Sequence, residues 1–278
     1  LGTSFIERHI HQLEQSAKHY LGLLYDALLR PLRPLLENSS TRNLVIIPHG
    51  LLHQIPFHAL FDGQQYLLET YHLSYAPSAT IFALCQQRVP RQTGQALIMG
   101  VADLSIPFVT EEVRRVSSFF TTPRTYLEDT ATTTVFRNQA ARSDIVHLAC
   151  HGLFRNGNPM FSALKLYEAW LTATEVLSLD LQGALVTLSA CESGRNQVLA
   201  GDEIIGLTRA FLGAGTATLV VSQWLVEDQS TAQLMTTFYD QLTKGHARSA
   251  ALRNAQLALK EHYPHPYYWA PFILIGQR

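Results

Sequence analysis

Apolar residues at Phe5, Ile6, Ile10, Leu13, Ala17, Leu21, Leu24 and Leu28 recur at intervals of three and four, which predicts an amphipathic helix reaching towards Leu36. Pro31 and Pro34 break it. Asn43 to Pro48 is a short apolar run ending in His49-Gly50, Tyr66 to Tyr75 reads as a strand, and Ser78 opens a helix that carries Cys85. Residues 87–94 are polar and contain Pro90 and Gly94, which places a boundary there and divides the chain into 1–92 and 93–278. Beyond it the pattern alternates. Apolar runs at Ala96–Val101, Asp144–Ala149, Ala184–Ser189, Ala217–Ser222 and Phe272–Ile275 are separated by helical stretches near 110–120, 132–141, 203–213, 228–243 and 247–261. Because these runs are continuously apolar, they predict an α/β fold with a mostly parallel sheet covered by helices on both faces, preceded by a smaller α/β subdomain.

Composition narrows the function classes. The 278 residues include 21 Lys plus Arg and 22 Asp plus Glu, a net charge of -1, so the clustered basic excess of a phosphate-backbone binder is missing and no direct nucleic-acid binding is expected. The 47% hydrophobic share supplies a full core. The longest apolar runs fall far short of the roughly 18 residues of a membrane span. Three cysteines are too few for a disulfide scaffold and fit a reducing, cytoplasmic setting. The start, Leu1-Gly2-Thr3-Ser4, lacks the basic and apolar regions of a signal peptide and reads as a piece of something longer.

In parallel sheets, sites form at the carboxyl ends of strands. Two such ends carry reactive side chains: Ala149 leads into Cys150-His151-Gly152, and Ser189 into Ala190-Cys191-Glu192-Ser193-Gly194. A cysteine nucleophile works as the thiolate, and a nearby imidazole supplies the base that makes it. Gly152 lets backbone amides approach a carbonyl, and the Cys191 amide is placed to donate to an oxyanion. The same residues also suit plainer roles, His151 as a hydrogen-bonded turn residue and Cys191 as a small buried hydrophobe. A zinc set of His147, Cys150, His151 and Cys191 is disfavoured, since adjacent Cys150 and His151 leave opposite faces of an extended chain. No metal or other cofactor is expected. His49 reads as a turn residue and Cys85 as core.

The segments His147-Leu148-Ala149-Cys150-His151-Gly152 and Leu188-Ser189-Ala190-Cys191-Glu192-Ser193-Gly194 resemble the CHAT domain family, as do residues 206–215, Val220-Val221-Ser222-Gln223-Trp224 and the earlier Ile47–Phe57 stretch. That family groups with the caspases and separases. The resemblance implies a caspase-like sheet, with residues 1–92 as a protease-like subdomain lacking the site and 93–278 as the catalytic one. It places a proteolytic dyad on His151 and Cys191, and implies extended peptide substrates and a helical-repeat region upstream. Leu225 stands where separases carry an acidic residue after the tryptophan, so the resemblance does not carry over a strict preference for arginine.

Around that edge, Asp202, Glu203 and Asp228 are candidates for a substrate pocket, although each also reads as a residue at a helix start. Arg209 reads as a structural hydrogen-bond donor, and His262, His265 and Tyr267-Tyr268-Trp269 as core or rim. The expected activity is that of a cysteine endopeptidase acting on a protein or peptide and held in check by an upstream region or partner. The alternative is a catalytically idle interaction module in a signalling or defence complex. An electrophilic peptide probe separates them by whether Cys191 reacts ahead of Cys85 and Cys150.

Overall fold

The computed structural model describes the backbone of residues 3–153, 155, 158–192 and 202–278, with side chains over residues 9–153, 155, 158–190 and 206–278. Helix α1 (Thr3–Leu28) leads through a 3₁₀ turn to α2 (Arg33–Glu37), β1 (Asn43–Ile46), α3 (Leu67–Thr70), β2 (His72–Tyr75) and α4 (Ala79–Gln87). There follow β3 (Ala96–Gly100), α5 (Val109–Ser117), β4 (Arg124–Leu127), α6 (Thr133–Ala140), β5 (Ile145–Leu153), β6 (Ala163–Lys165), β7 (Trp170–Thr172) and α7 (Ala173–Leu177). The chain continues with β8 (Leu185–Glu192), α8 (Asp202–Gly213), β9 (Thr218–Ser222), α9 (Asp228–Thr243), α10 (Arg248–His262), α11 (Pro266–Trp269) and β10 (Phe272–Gly276).

The strands join one sheet in the order β1-β2-β10-β9-β8-β5-β3-β4, with β6 and β7 as an antiparallel extension from the end of β5. From β9 to β4 all neighbours are parallel, whereas β10 runs antiparallel to β9 and parallel to β2. This is the α/β class that the apolar runs predict. The central strands β3, β5, β8 and β9 are buried along nearly all their described residues, as strands covered on both faces must be. On β5, His147 faces α5 and α9 through Glu112 and Tyr239, while the alternate residues Val146, Leu148 and Cys150 are also buried. Each face therefore carries its own cover, with α9 packed on α5 and α10 and with α7 packed on α8.

One segment departs from the sequence pattern. The run Tyr66–Tyr75 is not a single strand: α3 occupies its first half and β2 only its end. The Glu69 carboxylate accepts from the Tyr66 amide at 2.8 Å and closes a helical turn that a continuous apolar reading overlooks. Cys85 lies fully buried in α4, capped by the Ser78 hydroxyl, which accepts from the Ile81 amide at 3.2 Å.

Candidate active site

The parallel ladder between β5 and β8 pairs Cα positions from Ile145↔Leu185 to Gly152↔Glu192, and within it His151 stands opposite Cys191. Neighbouring strands lie about 4.8 Å apart, so the two residues share one level at the carboxyl edge of the sheet. The Cys191 side chain lies outside the described residues, as do those of Asp202 and Glu203, whose backbones open α8. Gly152 is flanked by Glu192 on one side and Leu164 of β6 on the other.

His151 has a partner that the sequence reading missed. Its Nε2 lies 2.8 Å from Asp103 Oδ2 and 3.3 Å from Ser105 Oγ, both on the loop after β3. Asp103 Oδ1 accepts from the Ser105 hydroxyl at 2.6 Å and from the Ser105 amide at 2.7 Å. The Ser105 hydroxyl, ahead of its amide and His151, draws the Asp103 carboxyl down to about 2, against some opposition from burial. An ionised carboxylate only accepts, and the Ser105 proton is already directed to Asp103, so Nε2 must carry the ring hydrogen. That leaves Nδ1 as the basic nitrogen. It is buried and has no hydrogen-bond partner among the described residues. The sequence signal was an Asp-x-Ser turn directly after the strand neighbouring β5, which has meaning only once strand order is known.

Asp228 is the first residue of α9, at the helix start the sequence suggests, but it does not cap the helix. Glu227 fills that role, accepting from the Gln229 amide at 3.2 Å and the Ser230 amide at 2.7 Å. Asp228 Oδ2 instead accepts from the Phe108 amide at 2.6 Å and so ties α9 to the far end of the loop bearing Asp103 and Ser105. Burial pushes its carboxyl up to about 6, with the nearby Glu112 and Glu227 charges adding to the rise and the Phe108 bond and His151 opposing it. One turn of strand below His151, the buried His147 has Nε2 3.0 Å from Glu112 Oε1 and Nδ1 3.3 Å from the Tyr239 hydroxyl, which donates to Thr187 Oγ1 at 2.9 Å. Glu112 was detectable as a charge inside the apolar stripe Val109, Val113, Val116 of α5.

Arg209 was expected to be a structural donor, but it is exposed and makes no hydrogen bond or ion pair among the described residues. Trp224 Nε1 donates to the Tyr267 carbonyl at 3.1 Å, and Trp269 is fully buried, which fits a rim and core role for that cluster. Among the described residues, no group of three or more His, Cys, Asp or Glu is arranged to hold a metal ion, and no helix is long and apolar enough to cross a membrane.

The sequence profile of the CHAT domain matches residues 18–277. The chain belongs to the CHAT domain family. It is 28% identical to tetratricopeptide repeat protein 28 of Homo sapiens over an alignment of 342 residues, covering 99% of this chain and 14% of that protein. The Mus musculus counterpart matches to the same extent. The chain thus spans about one seventh of the length of these relatives. Among solved structures, the fold is similar to the separase of the Saccharomyces cerevisiae separase-securin complex, with a TM-score of 0.59 and 13% identity, covering 84% of this chain and 15% of that one. It is also similar to the Arg-specific cysteine proteinase gingipain R, with a TM-score of 0.60 and 12% identity, covering 95% and 67% of the two chains. This CHAT domain therefore has the caspase-like fold of those two proteins.

Proposed function

We propose that this CHAT domain is a cysteine endopeptidase in which Cys191 is the nucleophile and His151 the base. The observation that carries the reading is the cross-strand register of His151 with Cys191, combined with an Asp103 contact that leaves His151 Nδ1 as the basic nitrogen. In this reading Nδ1 takes the Cys191 proton and the thiolate sulfur attacks the scissile carbonyl. The oxyanion is met by the backbone amides of Gly152 and Cys191. His151 returns the proton to the leaving amine, and water then hydrolyses the thioester. Asp103 is a positioning residue that fixes the imidazole tautomer, with Asp228 holding its loop.

Asp202 and Glu203 are the candidates for recognising a basic residue before the scissile bond. Asp228 is a weaker one, because one of its oxygens is already engaged by Phe108. The substrate is a protein or peptide in extended form. An upstream helical-repeat region, of the kind the relatives' names describe, or a regulatory partner controls the site by shifting its population towards the assembled state, in the cytoplasm.

Cleavage of a fluorogenic peptide library by this chain and by the longer protein tests the reading. Cys191→Ala and His151→Ala should each abolish cleavage, whereas Cys150→Ala should retain it, since Cys150 sits in the core at the opposite phase of β5. An inactive Cys150→Ala beside an active Cys191→Ala would show that the nucleophile is misassigned.

A further inference from the structure

The loop between β3 and α5 carries Asp103 and Ser105, which hold His151 Nε2. Asp228 ties the far end of that loop at the Phe108 amide. A second carboxylate reaches its near end from β4. Glu128 Oε1 accepts from the Ala102 amide at 3.4 Å and from the Thr110 hydroxyl at 3.3 Å. Ala102 directly precedes Asp103, and Thr110 is the second residue of α5, so one oxygen gathers both ends of the loop. Gly100 of β3 stands opposite Leu127 of β4 on one side and Ala149 of β5 on the other. Glu128 therefore leaves the sheet at the same edge as His151, two residues beyond Ala149.

Each of these bonds is long and weak alone, but the backbone of Glu128 gives an independent reason to single it out. Its φ is 49°, and among the described residues no other non-glycine has a positive φ. The left-handed region sets the β-carbon against the following carbonyl oxygen, a cost that glycine escapes and that Asn and Asp bear best. The turn itself does not require glutamate. The Leu127 amide donates to the Thr130 hydroxyl at 2.9 Å and the Ala131 amide to the Glu128 carbonyl at 2.9 Å, bonds that a glycine at 128 would leave in place. What a glycine would lose is the carboxylate on Ala102 and Thr110. Backbone strain of this kind persists where surrounding contacts over-determine it, and such residues gather at functional sites.

We infer that Glu128 is a positioning residue for His151: its carboxylate fixes the start of the loop and so presents Asp103 to the imidazole. It touches neither His151 nor the reacting atoms and acts through Asp103. Together with Asp228 it braces the loop from opposite sides, Asp228 from α9 and Glu128 from the end of β4. The effect on rate rests on the peptidase reading, whereas the effect on the loop and on the His151 tautomer does not.

The test compares Glu128→Gly, which suits the backbone and removes the carboxylate, with Glu128→Gln, whose amide oxygen can still accept both bonds. Two readouts are independent of cleavage. Hydrogen exchange across residues 101–108 should be roughly 2- to 10-fold faster in Glu128→Gly, the scale of one modest hydrogen bond, and close to that of the unsubstituted chain in Glu128→Gln. The imidazole nitrogen NMR shifts of His151, assigned by their loss in His151→Gln, should report a single tautomer in the unsubstituted chain and in Glu128→Gln, and a mixture in Glu128→Gly. In peptide cleavage, Glu128→Gly should lower kcat by roughly tenfold with KM little changed, a partial misplacement of the catalytic group. With Asp103→Asn already in place, the same substitution should cost almost nothing more, because both act through one contact. Unchanged exchange and an unchanged His151 spectrum in Glu128→Gly would overturn the inference, as would an equal loss of kcat with and without Asp103. An unsubstituted chain that cleaves nothing would strike the peptidase reading instead, and the exchange and nitrogen spectra would then decide the role of Glu128.

Discussion

Two glycines in helix interiors give the fold a test with opposite expected signs. In the interior of an isolated helix, Gly→Ala is stabilising by about 0.5–1 kcal/mol. At Gly22 in α1, an added Cβ would meet only the Phe61 carbonyl oxygen at 3.7 Å, an ordinary contact, so Gly22→Ala should realise that gain. At Gly206 in α8, the same Cβ would lie 2.6 Å from the Pro159 carbonyl carbon and 2.8 Å from its Cβ, and nearer still to its oxygen. Non-bonded carbons rest about 3.5–4.0 Å apart, so backbone on one side must retreat by roughly 1 Å. Overpacking of this kind costs about 1–3 kcal/mol and outweighs the helical gain. The two variants should therefore differ by about 1–3 kcal/mol, or roughly 2–5 °C in Tm for a chain of this size. Urea unfolding followed by circular dichroism should move the midpoint up for Gly22→Ala and down for Gly206→Ala at constant m. The proposed site should suffer as well, because Pro159 follows β5 and α8 follows β8. A displacement of 1 Å is enough to cost about 10²-fold in rate. A midpoint for Gly206→Ala at or above that of the unsubstituted chain would refute the close approach of α8 to the Pro159–Phe161 turn.

Three further predictions follow from the polar contacts. Asp103→Asn should lower kcat by about 10- to 100-fold with KM little changed, less than the ~10⁴-fold loss seen for a buried triad acid because Asp103 is half exposed; an unchanged kcat would remove its positioning role. Asp228 titrates near 6 in the folded chain against an ordinary 3.8, so between those values the folded state keeps a proton that the unfolded state has lost. Its contribution to stability must then fall as pH rises through that window, by on the order of 1 kcal/mol once screening at a half-exposed site is allowed for. Subtracting the pH profile of Asp228→Asn should expose that downward slope, and an upward one would contradict it. Tyr239→Phe, which strips the buried hydroxyl from Thr187 and His147, should destabilise the chain by about 1–3 kcal/mol in urea unfolding, and an unshifted midpoint would count against the buried network.

The elements legible in the sequence were those whose environment is uniform. Strands β3, β5, β8, β9 and β10 are buried apolar runs, and α5, α6, α8, α9 and α10 fill the intervals where helices were expected. Short strands such as β4, β6 and β7 escaped notice, because three or four residues at a sheet margin, such as Arg124-Thr125-Tyr126-Leu127, carry no periodicity to detect. That His151 and Cys191 come to one edge was anticipated because both end long apolar runs, but the register that sets them opposite each other depends on strand order. Asp103, Ser105 and the Asp228–Phe108 tie are contacts between loops and elements distant in sequence. No local pattern announces them.

The central claim, that Cys191 is a nucleophile activated by His151, is tested most directly by incubating the chain with a peptide carrying a thiol-reactive electrophile and mapping the adduct by mass spectrometry. Cys85 and Cys150 are fully or almost fully buried, and burial pushes the Cys85 thiol up, so neither should compete. The account predicts a single adduct on Cys191, formed at least ~10²-fold more slowly in His151→Ala, the lower end of what a positioned base contributes. Equal labelling of Cys191 with and without His151, or labelling of Cys85 or Cys150 ahead of it, would contradict the account.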